Sequence, residues 1–163
     1  MRHFAPVILF ATLLSLFAQS ARADGDGLME AMKKRAETLL VAMNLLGTPY
    51  KMGGTDPAKG VDCSGLVHYV YKQSVDINLP HSAKALSQNG TPVKKDDLQP
   101  GDLVFFHTLK QRFSHVGIYA GDGNFIHASS REGKEVMVSS LDNSYWAKHF
   151  VGARRILREQ SPP

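Results

Sequence analysis

The apolar residues of this chain follow a helical pattern in its first third and strand patterns in its second half. Between residues 28 and 46 they recur every three or four positions, which predicts a helix that ends at Gly47 and turns its methionines to the core. A second helical stripe follows Asp62, a residue type favoured as an N-cap, and predicts a helix over residues 64–73.

Short apolar runs bounded by turn residues predict strands in the rest of the chain. These strands are expected over residues 103–106, 114–120, 124–129, 136–141 and 151–157. The polar stretch before them is expected to be irregular, apart from a short helix over residues 83–87. No repeat and no linker interrupts the pattern, so a single domain is expected.

The turn between the second and third predicted strands decides where two histidines point, because side chains alternate between the faces of a strand. If Gly121-Asp122-Gly123 forms a three-residue loop, Ala120 pairs with Asn124. His115 and His127 then become diagonal neighbours on one face, on the order of 7 Å apart or less. A two-residue loop would place them on opposite faces. Because Gly is favoured at the last position of a three-residue loop, we predict the shared face.

The first residues have the composition of a secretory signal peptide. Arg2 precedes an apolar run over residues 4–18, and Ala21-Arg22-Ala23 is a cleavage site of the small-x-small type. We therefore expect export to the periplasm or the outside, with no stable membrane insertion after cleavage. Since Asp24 rather than a cysteine follows the site, no lipid anchor is expected.

The charge of the chain is only slightly positive, with 19 lysines and arginines against 15 acidic residues. The expected signal peptide holds two of the arginines and no acid, which makes the excess smaller still. No basic patch with interleaved aromatic residues accompanies it, so a nucleic-acid partner is not expected. Three charged or titratable residues outside the motifs below, His68, Arg154 and Arg155, are expected to be solvated.

Cys63 is the only cysteine in the chain. Exported proteins use structural cysteines in pairs, so a lone thiol is a candidate nucleophile. In the first turn of a helix it would meet unpaired backbone N–H groups, and we expect a lowered pKa. With an imidazole to take its proton, the cysteine predicts acyl transfer through a thioester, with its own N–H as oxyanion donor. Spacing alone leaves open whether His115 or His127 is the base.

Five motifs surround these candidates. They are Pro49-Tyr50-x-x-Gly53-Gly54, Asp62-Cys63-Ser64-Gly65-Leu66-Val67, Leu98-x-Pro100-Gly101-Asp102-Leu103-Val104-Phe105-Phe106, Ser114-His115-Val116-Gly117-Ile118-Tyr119 and Phe125-Ile126-His127-Ala128-Ser129. In this order, from about Gly47 to Ile156, they resemble the NlpC/P60 family of cell-wall cysteine peptidases. The resemblance implies a papain-like α+β fold, with helices packed on a central antiparallel β-sheet and the catalytic cysteine at a helix N-terminus.

The resemblance also implies a triad: Cys63 as nucleophile, His115 as base and His127 as the residue that orients the base. The chain is then expected to divide into a signal peptide (1–23), an N-terminal segment and helix (24–46), a catalytic domain (47–157) and a flexible tail (158–163). No cofactor and no metal ion are expected, and the protein is expected to be a monomer.

The implied substrate is the stem peptide of peptidoglycan, cut at a D,D-crosslink or at a γ-D-glutamyl–meso-diaminopimelate bond. By the resemblance, Tyr50 lies near the oxyanion, and Asp62 and Ser64 help to hold the stem peptide. The residues themselves leave Tyr50 open between this role and simple packing. His81 departs from the family pattern, in which many members have arginine after Leu-Pro.

Three alternatives compete with a peptidase. Cys63, His115 and His127 could be zinc ligands, although no Cys-x-x-Cys or His-Glu-x-x-His spacing supports this. The domain could instead bind the cell wall without cleaving it, or use the same triad as an acyltransferase or a different amidase. A serine hydrolase is excluded, since no Gly-x-Ser-x-Gly motif occurs.

Overall fold

A computed structural model of the chain describes the backbone of residues 7–108 and 112–157 and, from residue 25 onward, their side chains. The predicted tail over residues 158–163 lies outside the described residues. The chain divides into two compact units after Lys33, and the second, Lys34–Leu157, holds all the elements discussed below except the first part of helix α1.

The described residues form four α-helices: α1 (Val7–Met43), α2 (Cys63–Val75), α3 (Ala83–Leu86) and α4 (Ser144–His149). A short 3₁₀ turn spans Lys95–Asp97. The predicted helices 64–73 and 83–87 correspond to α2 and α3. The helix α4 was not predicted, because six residues are too few to show a helical period.

The limits predicted for the first helix were wrong at both ends. The segment 24–27, expected to precede it, is helical, and α1 ends at Met43 rather than at residue 46. The last turn tightens there, since Leu45 N–H donates to the Ala42 carbonyl instead of to residue 41. The methionines expected in the core are also exposed, at 66% for Met29 and 56% for Met43.

The sheets are antiparallel. Strands β1 (Thr55–Asp56) and β2 (Gly60–Val61) form a small ribbon before α2. The main sheet has six strands in the order β3-β8-β4-β5-β6-β7. These are β3 (Thr91–Val93), β4 (Leu103–Phe106), β5 (His115–Gly121), β6 (Asn124–Ala128), β7 (Val136–Ser140) and β8 (Phe150–Arg155). The five predicted strands are thus present, and β3, a three-residue edge strand with a proline, was missed.

The helix α2 packs on one face of the main sheet. Its fully buried Leu66, Val70 and Tyr71 lie in one core cluster with Ile118 and Ile126 of β5 and β6. On the opposite face a smaller aromatic cluster forms around Phe106 and Phe125, with Trp146 and Phe150 packed against it. The sheet between helices confirms the expected α+β fold, and it carries His115 and His127 on the aromatic side by alternation.

Two side chains expected to be solvated have fixed partners instead. Arg155 forms a bidentate ion pair with the buried Asp102, at 2.9 Å and 2.8 Å. Such a pair satisfies both carboxylate oxygens inside the fold. His68 Nδ1 lies 2.6 Å from the Leu79 carbonyl oxygen. Tertiary neighbours at distant positions in the chain account for both outcomes.

Candidate active site

Cys63 lies in the first turn of α2, as predicted, and is its first residue, one position before the predicted start of the helix. Asp62 caps the helix by accepting the Gly65 N–H at 2.7 Å and the Ser64 hydroxyl at 2.9 Å. Its second oxygen accepts the Gly53 N–H at 3.0 Å, so the carboxylate also holds the preceding loop. These contacts fix the backbone on both sides of Cys63.

A close backbone contact explains the glycine in the first turn of α2. A Cβ at Gly65 would collide with the carbonyl oxygen of Gly54. Gly is about 1 kcal/mol less favourable than Ala inside a helix. The close approach of the Gly54 carbonyl explains why this helix position nevertheless has a glycine. The loop before the ribbon can therefore lie directly against the start of α2.

The hairpin of β5 and β6 has the predicted register but not the predicted loop. Ile118 pairs with Ile126 and Tyr119 with Phe125, as a three-residue loop requires. At the tip, however, Gly121 pairs with Asn124, which leaves a two-residue turn and a bulge after Tyr119. The extra residue of the bulge restores the register that a two-residue turn would otherwise shift.

The two histidines share one face and meet directly, which confirms the predicted juxtaposition. His115 Nε2 and His127 Nδ1 lie 2.9 Å apart. The other nitrogen of His127, Nε2, lies 2.9 Å from the hydroxyl of Ser139 on β7. Sequence reasoning missed Ser139, although its place two residues beyond the partner of His127 in a third strand is a diagonal position.

Trp146, the only tryptophan, holds the histidine pair in place. Its indole stacks on His115 with ring centroids 5.4 Å apart and an angle of 27°, and meets His127 edge-on at 4.9 Å. An imidazolium formed at His115 would lie against the electron-rich face of the indole. The sequence analysis did not predict this contact, because α4 was not predicted.

The pKa of Cys63 is raised to about 11, contrary to the lowered value expected from its place on the helix. Burial of the sulfur is the largest cause, and the negative charge of Asp62 adds to it. The backbone N–H groups of Val116, Ser64 and Cys63 act in the other direction but are outweighed. The prediction considered the helix dipole without the desolvation that accompanies the folded sheet.

Burial also keeps both histidines neutral. It lowers the pKa of His115 to about 4, against a smaller opposing effect of Asp62. It lowers the pKa of His127 to about 3, and the neighbouring His115 lowers it further. Near neutral pH the site therefore holds a thiol and two neutral imidazoles.

These residues line one cavity of about 580 Å³. Cys63, His115 and His127 share its wall with the three further predicted residues, Tyr50, Asp62 and Ser64. The remaining lining residues are Met52, Ala83, Thr108, Ser114, Ser129, Ser130, Arg131, Glu132, Asn143, Tyr145 and Trp146.

Tyr50 lies beside the cysteine rather than packed away from it. Burial raises its pKa, and the charges of Cys63 and Asp62 raise it further, so its hydroxyl stays protonated and can donate. The hydroxyl lies 3.6 Å from the Met52 sulfur. His81, the departure from the family pattern, lies outside the cavity lining but places Nε2 3.0 Å from Asp62 Oδ1.

Two kinds of feature are lacking among the described residues. No group of three or more His, Cys, Asp or Glu side chains among them is arranged to hold a metal ion. Within the same residues, none of the helices combines the length and apolar character needed to cross a membrane.

Comparison with known proteins gives consistent matches. The profile of the NlpC/P60 family matches residues 47–155. The murein DD-endopeptidase MepH of Escherichia coli K12 is 45% identical over 124 residues, which cover 72% of this chain and 45% of MepH. The probable endopeptidase NlpC of the same organism is 51% identical over 111 residues, 68% of this chain and 70% of NlpC. The chain thus spans about half the length of MepH.

A solved structure gives the same result for the fold. The crystal structure of an NlpC/P60 family protein from Bacillus cereus superposes with a TM-score of 0.70 and 36% identity. The match covers 76% of this chain and 40% of that protein.

Proposed function

The chain belongs to the NlpC/P60 family, and from this premise we propose that it is a cysteine endopeptidase that hydrolyses amide bonds in the stem peptides of peptidoglycan. The observation that carries the proposal is that Cys63 lines the same cavity as His115 and His127, which are hydrogen-bonded to each other. The names of the relatives, murein DD-endopeptidase MepH and probable endopeptidase NlpC, support the same reaction class.

In the proposed reaction, the Cys63 sulfur attacks the carbonyl carbon of the scissile amide while its proton passes to His115. The backbone N–H of Cys63 and the Tyr50 hydroxyl donate to the oxyanion. Collapse of the tetrahedral intermediate breaks the C–N bond, and His115 returns the proton to the leaving amine. A water molecule, deprotonated by His115, then attacks the thioester carbonyl carbon. Collapse of this second tetrahedral intermediate breaks the C–S bond, His115 returns the proton to the Cys63 sulfur, and the acid product leaves.

The surroundings of the two histidines support their proposed roles. His115 is the base, because it begins β5 beside Val116, whose backbone N–H reaches the Cys63 sulfur. His127 orients His115, because the His127 ring is 1% exposed and its Nδ1 lies 2.9 Å from His115 Nε2. Asp62 and Ser64 help to hold the stem peptide, with Asp62 also holding the start of the helix.

The proposal includes export. Residues 1–23 act as a signal peptide and cleavage leaves Asp24 as the first residue of a monomeric periplasmic or extracellular enzyme. Intact mass of the protein recovered from the periplasm or the medium tests the cleavage site, and light scattering during size-exclusion chromatography tests the monomer. A full-length mass in the exported fraction contradicts the cleavage.

The decisive test is digestion of purified peptidoglycan by the protein and by Cys63→Ala, with the muropeptides identified by mass spectrometry. Crosslinked dimers converted to monomers identify a D,D-endopeptidase. Loss of the distal stem residues identifies a γ-D-glutamyl–diaminopimelate peptidase. Absence of any Cys63-dependent product contradicts the proposal, and retained binding of Cys63→Ala to the sacculus would then favour the binding domain.

A further inference from the structure

We propose that Ser139 sets the direction of the hydrogen bonds through the histidine pair, by accepting a hydrogen bond from His127 Nε2. In this role it is a positioning residue: it acts on His115 through His127 and touches no substrate. Its effect on turnover rests on the proposed peptidase function, whereas its effect on the protonation of the two rings does not.

The contact is built into the sheet. His127 pairs with Met137 across β6 and β7, so Ser139 is its diagonal neighbour on the same face. The Oγ–Nε2 distance of 2.9 Å is that of a good hydrogen bond. His127 is 1% exposed, so its ring nitrogens depend on protein partners.

The two hydrogen bonds that join these three side chains can run in only two directions. Each neutral imidazole has one N–H and one lone pair, so choosing the donor at one end fixes every tautomer along the row. If Ser139 accepts from His127 Nε2–H, then His127 Nδ1 accepts from His115 Nε2–H. His115 Nδ1 is then left with its lone pair. In the opposite direction, His115 Nδ1 carries the proton and cannot take another.

Only the first direction serves a base, because the Nε2 of His115 is already occupied by His127. Protonation of His115 makes this direction compulsory, since an imidazolium donates from both nitrogens. The Ser139 oxygen is therefore needed as an acceptor at the moment when positive charge develops on His115.

Removal of the hydroxyl should reverse the preference. In Ser139→Ala, a proton on His127 Nε2 would face a methyl group in a buried site, where an unsatisfied N–H is unfavourable. His127 then carries its proton on Nδ1 instead and donates it to His115 Nε2. The proton of His115 moves to Nδ1, the wrong tautomer for a base.

The first measurement is the tautomer of each ring. The protein is labelled with ¹⁵N-histidine, and ring nitrogens are recorded at pH 7, where both rings are neutral; the His115 and His127 variants assign the signals among seven histidines. We expect protons on Nε2 of both rings in the wild type and on Nδ1 of both in Ser139→Ala. Protons on Nδ1 in the wild type, or unchanged tautomers in Ser139→Ala, overturn the proposal.

The second measurement is kinetic. With a soluble muropeptide, Ser139→Ala should lower kcat on the order of 10–100-fold while KM stays nearly constant. Ser139→Thr, which keeps the hydroxyl on a strand, should restore both kcat and the wild-type tautomers. The matched control is Ser140→Ala, the next residue of the same strand, whose hydroxyl accepts the Asp142 N–H away from the histidines.

The two proposals can fail separately. Expected tautomers in a protein that cleaves no peptidoglycan would refute the peptidase and leave the role of Ser139 intact. An active peptidase whose Ser139→Ala variant keeps wild-type kcat would refute the positioning role alone.

Discussion

Two walls of the cavity differ in charge. We call them the helix wall, formed by Asp62, Cys63 and Ser64 at the start of α2, and the sheet wall, formed by His115 and His127. On the helix wall, burial raises the pKa of Asp62, but hydrogen bonds from Gly65, His81 and Ser64 outweigh it and lower the pKa overall. On the sheet wall, burial lowers the pKa of His115 and His127, and no comparable set of hydrogen bonds offsets it. One wall therefore holds a fixed negative charge and the other holds neutral rings.

The difference bears on how the nucleophile is activated. The sulfur of Cys63 lies between the walls, and both its burial and the charge of Asp62 favour the thiol. The resting site is thus a neutral pair rather than a thiolate and an imidazolium. In the proposed mechanism, proton transfer to His115 therefore accompanies the attack, and the two histidines must be aligned for it in advance.

The largest effect on activity should come from replacing the histidines of the sheet wall. His115→Ala removes the base, and kcat/KM should fall on the order of 10³-fold. His127→Ala removes the ring that orients the base and should have a smaller effect, about 10–100-fold. Rates on a soluble muropeptide measure both.

Near-ultraviolet circular dichroism checks that each of the two variants is folded. Wild-type turnover in His115→Ala would refute the assignment of the base, and a larger loss in His127→Ala would reverse the two roles.

The next effect concerns stability against pH. The unfolded chain protonates its histidines as the pH falls through about 6.5, whereas His115 and His127 in the folded protein do so only near 4 and 3. The unfolded state then binds more protons, so the free energy of unfolding falls from about pH 6.5 down to about pH 4. Each histidine can contribute up to about 1.4 kcal/mol per pH unit.

Urea titrations at several pH values measure this slope. His127→Gln should reduce it, because one of the two groups is gone. The control is His107→Gln, a change at an exposed histidine outside the pair. Equal slopes in wild type and His127→Gln would contradict the buried neutral state.

A moderate effect is expected when the helix wall loses its charge. Asn caps helices about as well as Asp, so Asp62→Asn keeps the cap but removes the negative charge beside the sulfur. The pKa of Cys63 should fall, and the pH dependence of alkylation by iodoacetamide should move to lower pH. Asp56→Asn, at an exposed carboxylate in β1, is the control. An unchanged pH dependence of alkylation in Asp62→Asn would mean that burial alone raises the pKa of Cys63.

The smallest effect should be that of His81→Ala. Its ring reaches Asp62 from a partly exposed position, at 31% side-chain exposure. The carboxylate keeps its bonds to Gly53, Ser64 and Gly65, so the loss in stability should stay below about 1 kcal/mol. Thermal unfolding beside Lys84→Ala, an exposed neighbour in α3, measures it. A larger loss would show that His81 supports the helix wall.

The helix wall could be predicted from sequence because its parts are adjacent in the chain. Asp62, Cys63 and the apolar stripe of α2 follow one another, so local rules of capping and periodicity place the thiol. The register that joins His115 to His127 was also predictable, since a single hairpin sets it. Even there the predicted three-residue loop was wrong. The hairpin has a two-residue turn, and a bulge after Tyr119 restores the predicted register.

What the sequence alone determined is thus the order of local elements and the three residues, Cys63, His115 and His127, that we propose as the catalytic group. The tertiary structure decided what surrounds them: Ser139 arrives from a third strand, Trp146 from a short helix, and the desolvation that raises the pKa of Cys63 from the whole sheet. Contacts between distant segments and the loss of water depend on packing, and packing has no signature at any one position in the chain.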